Sequence, residues 1–432
     1  MEVTKENFGS VLPDVISAIE RCSFVAFDCE FTGLTEGRDR YSPVDTPDER
    51  YMKTVQGCSR FAVMQLGLCI FTEITSEDKG TSYTISPYNF YMFPASTNYK
   101  LDQRFMCQSS SLAFLATHNM DFNKWIKGGI PYLNEKDEAY LSKTTSADEM
   151  EAMLGLSKVI KAITAARAPL VGHNCLLDLL HLFKHFVGPL PDTLAVFKAE
   201  LLKRFPCVYD TKTVAKHSAF EDCILSDALG DLFDAVHGEV FQEVGVALPP
   251  SCPHYSTSQA HEAAYDAYMT GVSLLRMAKR IVAANGRVPA VTSVLEQLAE
   301  HKNRVFLHKS VDVPWLHLDR EEPARTVEHV LHMTFDERMT LPDIKGLFSP
   351  YGSAHVTWIN STSAFVTLPN KEKASEALRC LSGRGEGHNI PYTVGPASAR
   401  KRPLDDKQTS NCDGQPPPSK KPKQLFTVNE DW

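Results

Sequence analysis

Two hydrophobic rhythms run along the first 300 residues. Compact apolar runs at 23–28, from Phe61 to Phe71 and at roughly 83–93 predict strands. Apolar positions at helical spacing predict helices at 154–167, 176–186 and 259–284, and short apolar stretches at 169–172 and 207–210 predict two further strands. Strands first, then alternation with helices, is the order of an α/β core with a mixed sheet and helices on both faces. Residues 32–58, rich in Asp, Arg, Pro and Gly, predict a long loop. The pattern changes near residue 328, where strand 330–335, helix 340–349, strands 355–359 and 363–368, helix 371–382 and strand 392–394 give a βαββαβ unit. The expected division is a core over 1–300, a linker over 301–327, a small α+β domain over 328–396, and a disordered tail over 397–432, rich in Pro, Ser, Asp and Lys. No internal repeat is present.

Composition narrows this picture only a little. Hydrophobic residues make up 43% and charged residues 23%, an ordinary globular mix with room for two or three domains. The eleven cysteines are odd in number and form no Cys-x-x-Cys pair, which predicts free thiols in a reducing compartment. No apolar run reaches the length of a membrane span, and the N-terminus lacks a basic-then-apolar signal, so no membrane partner is expected. With a net charge of −8, any contact with nucleic-acid phosphates has to be local rather than the work of a global field.

The candidate chemistry lies in four acids and one histidine. Asp28 and Glu30 end the apolar run that starts at Phe24, and residues two apart on a strand face the same way. They can present two carboxylates side by side while Cys29 points into packing. Asp178 follows Val171-Gly-His-Asn174 by four residues, and Asp266 follows His261 by five. Mg²⁺ wants oxygen ligands from a few carboxylates, water and phosphate. Two such ions, about 3.5–4 Å apart, can stabilise both the attacking and the leaving oxygen of a phosphodiester. One carboxylate pair cannot surround two ions, so Asp178 and Asp266 are the acids expected to join it. Five residues along a helix turn through about 140°, so His261 and Asp266 can face one point only if His261 lies in the lead-in to the helix. The loop-like stretch Pro249 to Ser258 just before it allows this. His261 is then placed to act as general base on the attacking water. An alternative is also open: Asp178, His181 and His185 share one helical stripe, either as a plain polar face or as a zinc site.

The strand with Asp28 and Glu30, His173-Asn-x-x-x-Asp178 and His261-x-x-x-x-Asp266 resemble the three blocks of the DEDDh 3′–5′ exonucleases, which have an RNase H-like core. Glu262 stands where a tyrosine-type member would have Tyr. Phe24 to Gly33, Ser59-Arg-Phe61, Cys107-Gln-Ser-Ser-Ser111, Gly129-Ile-Pro-Tyr-Leu133, Val208-Tyr-Asp-Thr-Lys212 and Leu425 to Trp432 are similar to the poly(A)-specific ribonuclease family, over nearly the whole chain. The resemblance implies a Mg²⁺-dependent exoribonuclease that shortens 3′ poly(A) tails and releases 5′-AMP. It also implies that Phe31, Leu34, Phe114 and Lys212 line the substrate path, and that the enzyme is a homodimer. Fuller members carry a small inserted domain with an Arg-x-x-x-His signature, and the short stretch from Tyr132 to Gly172 reads as helix instead. The inserted domain is therefore expected to be absent.

The βαββαβ unit has the order of an RNA-recognition motif. It keeps Ala364-Phe-Val366 of the usual signature, but Ser361 and Ser363 replace a basic and an aromatic position. A protein-interaction role thus stands beside RNA binding. Trp358 is either core or a stacking platform, and the resemblance implies that it stacks the 7-methylguanosine cap. Arg400-Lys-Arg402 and Lys420-Lys-Pro-Lys423 look like a two-part nuclear import signal, or an RNA-contacting tail, giving an expected residence in nucleus and cytoplasm. The rival functions are 3′ trimming of small or non-coding RNAs, and a non-catalytic RNA- or cap-binding adaptor.

Overall fold

The computed structural model describes residues 1–34, 41, 45–76, 80–95, 103–250, 261–284, 294–308, 310, 315–322, 327–382 and 390–397. They form two compact units, Met1–Arg325 and Thr326–Trp432. The first unit is built on a nine-stranded mixed sheet. Its strands are β1 (Glu2–Val3), β2 (Phe24–Phe31), β3 (Val63–Ser76), β4 (Gly80–Tyr91), β5 (Leu170–Gly172), β6 (Val208–Asp210), β7 (Gly245–Ala247), β8 (Arg304–Phe306) and β9 (Trp315–His317). The order is β1-β4-β3-β2-β5-β6-β8-β9, with β7 paired to β4. β2 pairs antiparallel with β3 and parallel with β5, so it is central and its residues are flanked on both sides.

The alternation of β2 divides the apolar core in two. Val25, Phe27, Cys29 and Phe31 pack on one face, against helices Phe8–Glu20, Ser157–Ala166 and Leu194–Arg204. Phe24 and Ala26 pack on the other, with the long helix Ala263–Ala284. Asp28 and Glu30 continue the second set. The helix can lie on the sheet because β3 has Gly67 opposite Asp28: a Cβ there would stand 2.0 Å from the backbone of Ala263. Further along, the Cys69 thiol donates to the Ala264 carbonyl at 3.1 Å. Two glycines thus set the contact, since a Cβ at Gly271 would stand 2.2 Å from the Phe71 ring.

Two expected boundaries are corrected. The loop over 32–58 contains a helix, Pro47–Cys58, started by a capping box in which Thr46 and Glu49 bond each other's backbone N–H groups, with Pro47 in the first turn. Its polar composition hid the helical spacing. The linker over 301–327 supplies β8 and β9, which extend the sheet beyond β6. Three-residue strands are too short to show a period. As expected, Tyr132 to Gly172 is filled by helices, Glu135–Leu141, Ala147–Leu154 and Ser157–Ala166.

The second unit is a four-stranded antiparallel sheet of β10 (Val330–Phe335), β11 (His355–Asn360), β12 (Ser363–Thr367) and β13 (Tyr392–Pro396), ordered β11-β12-β10-β13. Leu331, Met333, Phe335, Ala364 and Val366 form its core with helices Leu341–Phe348 and Lys371–Leu381. Trp358 pairs with Ala364, so it belongs to the helix-bearing face rather than the open one. It is still 43% exposed because β11 is the edge strand, and it meets Phe335 edge-on at 5.4 Å. The basic tail clusters and Leu425 to Trp432 lie outside the described residues.

Gly67→Ala should destabilise the first unit by at least the usual ~1–3 kcal/mol of overpacking, because the clash is with backbone that has no rotamer to yield. Urea unfolding checks this. An unchanged midpoint would mean that the helix is free to shift away from β3.

Candidate active site

Three segments deliver the acids. Asp28 and Glu30 lie within β2, not at its tip, and both are partly accessible. Asp178 occupies the first turn of helix Leu176–Leu182, where the helix dipole favours an anion. Asp266 lies in the first turn of Ala263–Ala284, and both it and Asp178 are buried, at 7% exposure. His261 stands just ahead of that helix with a left-handed φ of 70°, and its backbone N–H faces both Asp266 oxygens at 3.2 and 3.4 Å. That lead-in position resolves the five-residue spacing. One ligand atom each from Glu30, His261 and Asp266 fits within 4.8 Å of the others.

The electrostatics tie in the other two acids. Burial pushes the Asp28 carboxyl well above its usual range, and the charges of Asp178, Asp266 and Glu30 add to this. Glu30 is raised by burial and then by Asp266 and Asp178. Burial pushes Asp178 up to about 7, against the pull of its own backbone N–H and of the Cys29 thiol and N–H. Asp266 is also pushed up to about 7 by burial, with the His261 N–H pulling back and the Glu262 charge adding to the rise. Among the described residues no lysine or arginine pairs with any of the four. Hard oxygen donors gathered without a counter-charge fit a divalent cation.

Asp210, which the sequence reading did not single out, poses the same burial problem and meets it differently. It ends β6 fully buried and accepts backbone N–H groups from Asn174, Cys175, Lys212 and Phe306 at 2.9–3.1 Å. Burial raises its carboxyl while those four donors pull it down. Two of them belong to the turn between β5 and the Asp178 helix, where Asn174 is left-handed at φ 54°. Asp210 therefore sets the angle at which that helix leaves the sheet. A strand-end aspartate before Thr-x-Thr reads as an ordinary cap, so although Asp210 lies in the segment Val208–Lys212 that carries the resemblance, its role was not assigned.

The remaining expected residues divide. Phe114, on helix Ser109–Thr117, meets the His261 ring edge-on at 4.6 Å. Phe31 is buried at 8% exposure on the opposite face of β2, against His181 at 4.5 Å, so it offers no open face to a base. Leu34 packs against the same core, its N–H bound by Gln108 at 3.2 Å. Lys212 is buried, pairs with Asp227 at 3.3 Å and lies over the Phe306 ring.

The zinc alternative is overturned. His181 and His185 are buried, approach each other at 3.4 Å, and leave Asp178 to the other acids. Burial holds both imidazoles well below their usual range. A second cluster, His217, Glu300 and His301, has ligand atoms within 4.8 Å. The His217 Nδ1 accepts the Ala219 N–H at 3.1 Å, so its proton sits on Nε2 and faces Glu300 at 3.2 Å. That is a hydrogen bond, not a ligand set.

Asp178 and Asp266 have folded values above the ordinary aspartate value, so the fold favours their protonated forms. Their contribution is present below about pH 4 and is lost as pH rises through about 7. In the presence of a chelator, the melting temperature should fall across that window, and Asp266→Asn should flatten the fall. A pH-independent melting temperature across it would contradict the clustering.

Residues 3–153 and 141–274 match the CAF1 family ribonuclease description, and 320–392 match an RNA binding domain. The chain is 28% identical to the poly(A)-specific ribonuclease PARN of Danio rerio over 499 aligned positions, covering 88% of this chain and 75% of that protein. It is 29% identical to the Homo sapiens protein of the same name, covering 88% and 78%. The pre-piRNA 3′-exonuclease trimmer of Bombyx mori is 25% identical over 91% of this chain and 93% of its own length. Among solved structures, S. pombe Pop2p in its Mg²⁺- and Mn²⁺-bound form superposes with a TM-score of 0.44 and 18% identity, covering 71% of this chain and 98% of its own. The alignment with the fish protein is far longer than the part of this chain it uses, so that relative carries internal sequence that this chain lacks. Since the ribonuclease match takes in well over half of the chain, and all five clustered side chains with it, this chain belongs to the CAF1 ribonuclease family.

Proposed function

We propose that this ribonuclease removes 3′ poly(A) from RNA, working from the 3′ end and releasing 5′-AMP. The observation that carries the reading is the meeting of Glu30, His261 and Asp266 within 4.8 Å, beside the raised carboxyls of Asp28 and Asp178. Asp28, Glu30, Asp178 and Asp266 are the residues that would hold Mg²⁺, at two ions per site. When bound, the two ions supply charge stabilisation for the attacking and leaving oxygens. His261 takes a proton from the attacking water, whose oxygen bonds to phosphorus as the P–O3′ bond breaks and the departing O3′ gains a proton. An imidazole suits this work because its ordinary titration lies near neutrality. Asp266 has a second task, since the His261 N–H is directed at it.

Phe114 is half-buried next to His261 and is the aromatic available to stack a terminal adenine, which gives affinity with modest base choice. Leu34 and Lys212 belong to the same proposed path by resemblance, with Lys212 reaching a phosphate only on leaving Asp227. In the RNA-binding unit, the half-exposed Trp358 is the proposed partner of the 7-methylguanosine cap, because a tryptophan face attracts a flat cation. A homodimer, and residence in nucleus and cytoplasm, complete the reading by resemblance.

A second reading is 3′ trimming of other RNAs. It is favoured by the 93% coverage of the Bombyx mori trimmer, against 75% for the fish ribonuclease. Among the described residues, no helix is long and apolar enough to cross a membrane.

Purified protein with Mg²⁺ should shorten end-labelled oligo(A) faster than oligo(U) or oligo(C). Chelation should abolish the activity. Asp28→Ala should lower it by orders of magnitude without loss of fold, since removing one repelling acid relieves the others. His261→Ala should cost roughly 10²–10⁴-fold, the scale of general-base catalysis. Chelator-resistant cleavage or an active Asp28→Ala enzyme would overturn the metal assignment, and equal rates on all three oligomers would favour trimming.

A further inference from the structure

The chain carries a net charge of −8, so the phosphates of an RNA strand have to be met by cations placed locally. Lys212 and Lys216 are two such cations. They stand four residues apart, on and just past the short helix Thr211–Val214, a spacing that brings side chains together on one face. Lys212 is joined to the candidate active site through Asp210. Its N–H and that of Phe306 are both held by this carboxylate, which also holds the turn before the Asp178 helix. The Lys212 ammonium lies 5.1 Å from the centre of the Phe306 ring, and its charge reaches His173, at the start of that turn.

What the two ammonium groups share is Asp227. One of its oxygens meets Lys212 at 3.3 Å and the other meets Lys216. Burial pushes the Asp227 carboxyl up, and the two lysines outweigh it, holding it below the usual aspartate range. The two non-bridging oxygens of a phosphodiester present the same pair of acceptors as this carboxylate. The position is open to solvent: Lys216 is 45% exposed and Asp227 24%, and a cavity of 140 Å³ lies against both. We propose that Lys212 and Lys216 form a seat for one phosphate of the RNA backbone, and that Asp227 fills it as an internal stand-in which the RNA displaces. The proposal rests on the placing of Lys212 in the substrate path. While Asp227 holds the lysines, the apparent affinity for RNA falls by the fraction of time the seat is open. A strand already held at its 3′ end brings its next phosphate at high effective concentration and competes well, whereas a released mononucleotide does not.

The test uses the full chain with Mg²⁺, oligo(A) and oligo(U), and circular dichroism to check the fold of each variant. Asp227→Asn keeps the shape of the side chain and removes its charge. It should lower KM roughly two- to fivefold, the scale of a half-exposed ion pair, with the gain in KM rather than kcat. A backbone contact carries no base information, so the gain should be the same on both oligomers. Adding Lys216→Ala to Asp227→Asn should cancel it. A second arm needs neither RNA nor metal. With a chelator present, inorganic phosphate should raise the melting temperature of Asp227→Asn more than that of the wild type, because the emptied seat binds an anion. Asp227→Ser repeats both arms if the asparagine variant is unstable. An unchanged or raised KM in Asp227→Asn would overturn the proposal and make Asp227 a plain counter-ion for Lys212. A gain that survives Lys216→Ala would overturn it too, as would phosphate-dependent melting with KM unchanged, which puts the anion site off the RNA path. Equal cleavage of the two oligomers would sink the poly(A) reading and leave the seat standing.

Discussion

Gathering four carboxylates in one place, two of them buried and two partly accessible, is the constraint around which the first unit is organised. Burial raises all four, and the charges of Asp178 and Asp266 raise Asp28 and Glu30 further. Such a group is tolerable only if protein dipoles or a cation neutralise it. Asp210 shows what the first solution looks like in this fold: a single buried carboxylate with four backbone N–H donors. The four clustered acids have few such donors. Asp266 has the His261 N–H, and Asp178 has its own N–H with the Cys29 N–H and thiol. That contrast within one molecule separates a carboxylate that shapes the backbone from carboxylates whose chemistry fits a cation.

The scaffold resists this repulsion at two contacts. Gly67 lets the helix with Asp266 sit directly on β3, opposite Asp28, and Asp210 pins the turn from which the Asp178 helix departs. Both contacts are made to backbone, which yields less than side chains do. The site is therefore set by strand and helix placement, with the His261 N–H directed at Asp266 and its ring beside those of Phe114 and His118.

Much of this was legible in the sequence where local geometry decides the outcome. The parity of β2 placed Asp28 and Glu30 together, and the five-residue step from His261 to Asp266 demanded a histidine outside the helix. Other features depend on contacts distant in sequence. Asp210 draws donors from residues 174, 175, 212 and 306, and no short motif encodes that set. β8 and β9 are strands only because β6 is there to receive them. Phe31 falls on the buried face with Cys29, so its motif position misled about its exposure. Trp358 shows the reverse, belonging by parity to the core face and escaping into solvent because its strand is an edge.

The central claim is that the four acids form a divalent-cation site, and anomalous scattering from crystals soaked in Mn²⁺ tests it most directly. The account predicts two peaks per chain, both contacting oxygens of Asp28, Glu30, Asp178 and Asp266, and neither surviving in Asp28→Ala. Ordered Mn²⁺ at His217, Glu300 and His301 with none at the four acids would contradict it.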